Sequence, residues 1–205
     1  IIAVCVLAWR ARSTAKRDPE MQTPRPPIKL AFFLLGLVIL QGMFGMWTVT
    51  LKLWPQVVTG HLLGGMATLS CLWLLTQRLA GYHWRFSRES FDSVVGLRRV
   101  AFATLLLVIG QIFLGGWTSS NYAALACLDL PTCQGQWLPP ADFRQGFNFA
   151  QHVGPNYLGG LLDNEARTAI HLSHRVGAVL VSLAVLLLSW RLFSVGESKS
   201  TRMAV

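Results

Sequence analysis

GGWTSSNYAALACLDLPTCQGQWLPPADFRQGFNFAQHVGPNYLGGLLDNEARTAIHLSHR, residues 115–175, is the stretch on which the reading of this chain turns. An apolar run ends at its start, a long polar loop with two close cysteines follows, and a second apolar run opens with His171, His174 and Arg175. Two imidazoles and a guanidinium inside an otherwise uncharged segment are expensive in lipid, so such residues are functional candidates by default. They point to a membrane protein that holds something as well as spanning.

The composition outside this stretch agrees. Of 205 residues, 53% are hydrophobic and 13% are charged, where a soluble domain carries about 25% charged residues. Leu30–Leu51, Leu53–Gln77 and Val100–Leu128 contain no charge, and Thr168–Trp190 contains only Arg175. A spanning helix needs ~20 apolar residues. The third run continues into Ser119, Ser120 and Asn121, so its helix is expected to end near Thr118. Ile1–Trp9 is apolar but too short to span, and its basic residues follow it, whereas a signal peptide carries them first. It reads as the tail of a helix whose beginning is missing, and the chain as a fragment with four whole spans and part of a fifth.

The net charge of +9 does not indicate nucleic acid, because of where the charges fall. Arg10, Arg12, Lys16, Arg17, Arg25 and Lys29 precede the first whole span. Arg78, Arg85, Arg88, Arg98 and Arg99 separate the second from the third, and Arg191, Lys199 and Arg202 follow the fourth. The opposite side has only Lys52, Arg144 and Arg167. The positive-inside rule places the richer side in the cytoplasm, with phospholipid as the contact of these charges. The expected order is a helix tail at 1–9, a cytoplasmic loop at 10–29 and a transmembrane hairpin at 30–77. A cytoplasmic loop at 78–98 leads to a transmembrane pair at 99–191 with an outer loop at 119–166, and then to a cytoplasmic tail at 192–205. The fold class is all-α, a polytopic transmembrane helix bundle. Trp47, Trp54, Trp117 and Trp190 lie near span ends, where aromatic belts form.

A weak repeat runs through the two hairpins. Gln41-Gly-Met-Phe-Gly45-Met-Trp47-Thr48 resembles Gln111-Ile-Phe-Leu-Gly115-Gly-Trp117-Thr118, and His61-Leu-Leu-Gly64 resembles His174-Arg-Val-Gly177. His61 and His174 lie at similar depth, ~8–11 Å below the outer ends of their helices at 1.5 Å per residue. Gly64 and Gly177 follow on the same helical face. There they would leave room for a flat macrocycle, and imidazole is a usual axial ligand of haem iron. The competing reading is that each His bonds a neighbouring helix and each Gly serves close packing.

His171 shares the face of His174 and could bind a substrate group, relay protons or sit in an interface. Arg175 could snorkel to the surface or pair with an anionic group such as a haem propionate. His83 and His152 read as loop residues, and Cys5 and Cys71 as packing residues. Cys127 and Cys133, on the oxidising side, read as a structural disulfide or as a thiol pair exchanging with a redox partner.

The run GGWTSSNYAALACLDLPTCQGQWLPP followed by IHLSHRVGA resembles the second-half signature of haem A synthases. QGMFGMWTVTLKLWPQVVTGHLLGG resembles their first-half third and fourth helices. The resemblance extends from about Leu30 to Phe193. It implies a fragment of a duplicated four-plus-four helix architecture. It also implies an oxidoreductase in a bacterial inner membrane, with the cysteine loop periplasmic, that oxidises the carbon-8 methyl of haem O to a formyl group and so makes haem A for cytochrome oxidase. By the same resemblance, His61 is an axial ligand of the substrate haem O and His174 of a haem b cofactor. Cys127 and Cys133 match the family's outer-loop pair, and His171 stands where the first half carries a catalytic glutamate. That glutamate lies outside the chain, so the fragment alone is expected to be inactive. Implied partners are haem O synthase, an electron acceptor or donor, and further copies of the chain. A membrane bis-histidine di-haem electron carrier is the alternative.

Overall fold

The computed structural model describes residues 2–3, 5–6, 9–10, 27–79, 83–85, 88–154, 161–198 and 202–204, with the backbone alone at 83–85, 88–94, 195–198 and 202–204. Most of the expected 10–29 loop lies outside these residues, as do 199–201 and 205 of the expected tail at 192–205.

Four long helices carry the fold, and each is long and apolar enough to cross a membrane. They are α1 (Ile28–Thr50), α2 (Pro55–Leu79), α3 (Arg88–Ser120) and α5 (Asn164–Ser198), with a one-turn helix, α4 (Phe143–Gly146), in the loop between α3 and α5. A short antiparallel pair joins β1 (His83–Arg85) to β2 (Arg202–Ala204) at the end of the bundle opposite that loop. The expected spans are found with their boundaries moved by a few residues. The exceptions are α3, which begins at Arg88, about ten residues before the expected start at 99, and α5, which runs on to Ser198, past the expected end at 191. Polar residues such as Arg88, Glu89 and Asp92 extend the helix beyond its apolar window, because helix formation does not require a lipid-soluble sequence.

The N-terminal segment is helical at its described residues, and Cys5 is buried against Ile28, Ala31 and Leu35. Its thiol donates to the Ala31 carbonyl over 3.2 Å. The packing reading of Cys5 therefore holds.

The turn between α1 and α2 takes only Leu51–Trp54. Lys52 and Leu53 sit at φ 50° and 59°, a left-handed conformation that costs a non-glycine residue roughly 1–2 kcal/mol. The hydrogen bond from the Leu53 N–H to the Thr48 carbonyl (2.8 Å) closes the turn. Pro55 then occupies the first position of α2, where its missing N–H leaves no helical bond unmade. The two hairpins meet where α2 crosses α3. A Cβ on Gly116 would lie 3.2 Å from both the Thr59 Cα and a Leu62 methyl, so glycine sets the closeness of this crossing.

Burial is concentrated at the end of the α3–α5 pair that carries the long loop. Trp117, Ala123, Leu162, Ala166 and Ile170 form one core, flanked by Phe113 and Phe147. Further along the spans, Leu105, Leu106, Leu183 and Leu186 are exposed, as suits side chains that meet lipid or other helices rather than water.

Candidate functional site

His61 lies early in α2 and points its Nδ1 edge at α1. With the Gln41 amide oriented to satisfy both its ends, the nitrogen donates to His61 Nδ1 (2.7 Å) and to the His61 carbonyl (3.0 Å). The oxygen accepts from the Gly65 N–H (3.2 Å). The other edge of the ring lies over Gly45, where an added Cβ would sit 3.4 Å from Cε1 and 3.8 Å from Nε2. A long amide side chain thus grips one ring nitrogen and leaves Nε2 free of it.

The second hairpin repeats the arrangement. Gln111 of α3 donates from Nε2 to His174 Nδ1 (3.0 Å) and to the His174 carbonyl (3.0 Å). An added Cβ on Gly115 would lie 3.4 Å from His174 Cε1. Gln111 Oε1 is buried and has no partner among the described residues. His174 lines an open cleft of about 440 Å³ together with His171, Gly115, Thr118, Ser119 and Tyr122. His171 is held from above, its Nδ1 at 2.9 Å from the Ala123 carbonyl. That carbonyl accepts only, so Nδ1 carries the proton of a neutral His171 ring and Nε2 holds the lone pair.

The glycines after each histidine have a different neighbour from the one the sequence suggests. A Cβ on Gly64 would overlap the Gln41 amide, and one on Gly177 would overlap the Gln111 amide. The space read as clearance for a macrocycle is filled by the glutamine that grips the imidazole. The clearance on the ring's other side comes from Gly45 and Gly115. Gln41 and Gln111 are the residues that sequence reasoning missed. Their signal was the repeated Gln-x-x-x-Gly at the ends of α1 and α3.

Arg175 has partners that its sequence reading did not foresee. Its guanidinium donates to three backbone carbonyls of the cysteine loop: Thr132 (2.8 Å), Cys127 (2.9 Å) and Asp129 (2.7 Å). Three acceptors from one loop fasten that loop to α5 through Arg175.

Cys127 and Cys133 form a disulfide across that loop. Within it, the Asp129 carboxylate accepts from the Thr132 hydroxyl and from the N–H groups of Gln134 (2.7 Å) and Gly135 (3.0 Å). These bonds, the Thr132 hydroxyl foremost, lower the Asp129 pKa from 3.8 to about 2. The amide of Gln134 donates to the Ala126 carbonyl (3.2 Å) and to the Thr168 hydroxyl (3.0 Å), a second tie between loop and α5.

The tryptophans divide by role. Trp190 is exposed at a span end, with the Arg191 guanidinium 5.8 Å from its ring centroid. Trp117, read as a belt residue, is 0% exposed. Its indole N–H donates to the Gly146 carbonyl over 2.8 Å, which fixes α4 above the bundle. Trp54 donates to the Gln151 carbonyl (2.8 Å) and so ties the short outer turn to the long loop. His152 is an exposed loop residue, and His83 lies on β1.

The whole chain, residues 1–205, matches the COX15-CtaA family model, described as cytochrome oxidase assembly protein. A heme A synthase of Shewanella oneidensis is 46% identical over 173 residues, which cover 84% of this chain and 52% of that protein. A heme A synthase of Methylobacterium radiotolerans is 33% identical over 169 residues, 78% of this chain and 42% of that protein. One from Symbiobacterium thermophilum is 29% identical over 159 residues, 75% and 49% respectively. The chain spans about half the length of the curated relatives it matches. No solved structure matches it.

Proposed function

This chain belongs to the COX15-CtaA family of cytochrome oxidase assembly proteins, and on that premise we propose that it forms part of a haem A synthase. The reaction is oxidation of the carbon-8 methyl of haem O to a formyl group. The setting is a bacterial inner membrane, with the disulfide loop on the periplasmic side, a reading the distribution of basic residues supports.

The observation that carries the reading is the duplicated imidazole clamp. In each hairpin one histidine has Nδ1 taken by a glutamine, Nε2 left over, and a glycine under the ring. A haem needs one imidazole nitrogen on an axial side and a flat surface beside it, and these residues fit that demand. His61 would hold the substrate haem O and His174 a haem b. When bound, haem b supplies a redox centre through which electrons leave the site.

The chain's own residues do the positioning. Gln41 and Gln111 fix the two rings. The bond from His171 Nδ1–H to the Ala123 carbonyl holds the 3-10 turn Ala123–Leu125 over the cleft. Arg175 fastens the loop above it to α5, and the disulfide braces that loop. Methyl-to-formyl conversion removes several electrons, so an acceptor is a required partner, and haem O synthase is the source of substrate. A di-haem electron carrier would use the same imidazoles, but the relatives bear the name of the synthase.

The test is to express the full-length protein with a supply of haem O and to analyse the haems extracted from the membrane. Haem A or hydroxylated haem O is expected. Their absence, with the protein folded, would overturn the proposal.

A further inference from the structure

The sequence places the whole loop between α3 and α5 outside the membrane, but hydrogen bonds tie part of it to the span. We infer that the stretch 125–138 is an interfacial segment, which sets its apolar side chains into the lipid leaflet on its own side of the membrane. The inference does not rest on the haem reading.

Its first support is position along α5. The Gln134 amide donates to the Thr168 hydroxyl over 3.0 Å, and Arg175 donates to the carbonyls of Cys127, Asp129 and Thr132. Thr168 opens the apolar run of α5. Arg175 lies about 10 Å further in at 1.5 Å per residue, and its long side chain recovers part of that rise by reaching outward. Loop residues bonded between these two points lie beside the start of the span, at the level of lipid headgroups. Further along the Arg175 face come Val179, Leu183 and Leu186, all exposed, at spacings that share a helical face. The loop thus continues the apolar exposed face of the span.

The second support is what the segment presents. Leu125, Leu128, Leu130, Trp137 and Leu138 are 77%, 84%, 81%, 74% and 91% exposed. Exposed apolar surface on this scale marks contact with a membrane or a protein, and charge decides between them. From Ser119 to Ala141 the only charged residue is Asp129. Its carboxylate is taken up by the Thr132 hydroxyl and the N–H groups of Gln134 and Gly135. No free charge is left with which to select a protein partner, whereas a lipid interface needs none and favours tryptophan.

The backbone agrees. Irregular chain close to hydrocarbon must satisfy its own polar groups. Arg175 takes three carbonyls, and the backbones of Cys133 and Gln136 bond each other (2.9 and 3.1 Å). The Ala126 N–H donates to the Ala123 carbonyl (3.1 Å), and the Gln134 amide covers the Ala126 carbonyl (3.2 Å). The disulfide braces the whole. The loop then changes character: Asp142, Arg144, Gln145 and Asn148 line a polar recess fitted to water.

The test is photocrosslinking in the full-length protein, reconstituted in vesicles of phosphatidylethanolamine and phosphatidylglycerol. A diazirine analogue of leucine replaces Leu128, Leu130 or Leu138, one at a time, a near-isosteric change at exposed positions that spares the fold. The same group in place of Arg144 is the reference. Mass spectrometry after irradiation is expected to find lipid adducts at the three leucine positions and addition of water at 144. Adducts to protein at Leu128 and Leu130, whether to a second copy or to another segment of the same chain, would overturn the inference. Water addition there, or lipid adducts as frequent at 144, would do the same. Trp137 gives an independent readout. Lipids brominated near the headgroup end of the acyl chain should quench the emission that Trp137→Phe removes, and lipids brominated at the chain terminus should quench it less. The reverse order, equal quenching or none refutes placement at the headgroup level.

Discussion

The α1–α2 and α3–α5 hairpins share one imidazole clamp and differ in what stands above it. His61 has Val58 one turn before it and Leu62 next to it, where His174 has His171 and Arg175. The first hairpin closes through a four-residue turn. The second closes through a long loop with its own core, a disulfide and a short helix. The common part is therefore what holds a ring. The added part is a roof, and the residues that distinguish the second histidine's surroundings are those that attach it. A duplicated helix pair can keep its buried geometry while its loop diverges, because the clamp is made of helix-borne residues and does not depend on the connection.

The largest expected contrast concerns Trp117. Its replacement by Ala removes a fully buried ring and its bond to Gly146, and should cost about 3–5 kcal/mol. Trp47→Ala, at the matching but half-buried position, should cost clearly less. Thermal unfolding of the full-length protein in detergent checks this, and equal losses would break the contrast between roofed and unroofed hairpins.

Arg175→Met comes next. It leaves three loop carbonyls without their charged donor, and a hydrogen bond to a charged group is worth about 1.5–3 kcal/mol. Amide exchange in the 127–133 loop should accelerate, while Leu62→Met in the other hairpin should leave its outer turn unchanged. Unaltered exchange in the loop would show that the disulfide and the Gln134–Thr168 bond hold the roof without Arg175.

The shared part predicts equality instead. Gly64→Ala and Gly177→Ala each drive a methyl into a glutamine amide, and each should destabilise by about 1–3 kcal/mol, as overpacking does. Gly65→Ala meets nothing within 4 Å and should stabilise by up to about 1 kcal/mol through helix propensity. Unequal losses at Gly64 and Gly177 in unfolding measurements would mean that the two clamps are not equivalent.

The smallest effect is a pH dependence confined to the roof. Asp129 has its pKa lowered to about 2 from 3.8. Its contribution is therefore fully present above 3.8 and is lost as pH falls through about 2. Exchange in the loop should rise across that window, the rise should disappear in Asp129→Asn, and the Leu51–Trp54 turn should show no counterpart.

Much of the fold was legible along the chain. Uncharged runs of adequate length mark α1, α2 and the membrane parts of α3 and α5, whereas the expected equal depth of His61 and His174 does not hold when counted from the observed helix starts at Pro55 and Asn164. The functional surroundings were less legible. Gln111 and His174 are 63 residues apart, and no local pattern says which side of the imidazole an amide will take. Arg175 presented two local options, snorkelling or anion binding, and the structure adds a third set of partners, because the loop folds back to place three carbonyls against it. Trp117 carried the position of a belt residue, yet α4 covers it. The start of α3 was hidden because hydropathy detects solubility in lipid and not helicity.

The sequence by itself determined the number of described spans and their hairpin order. Both depend on sums over adjacent residues, about twenty apolar side chains for a span. Only the tertiary structure decided which nitrogen of each ring is engaged, what fills the space beside Gly64 and Gly177, and where the guanidinium of Arg175 goes. Those are choices among hydrogen-bond partners, and partners are set by which distant residues the helices bring within about 3 Å of one another.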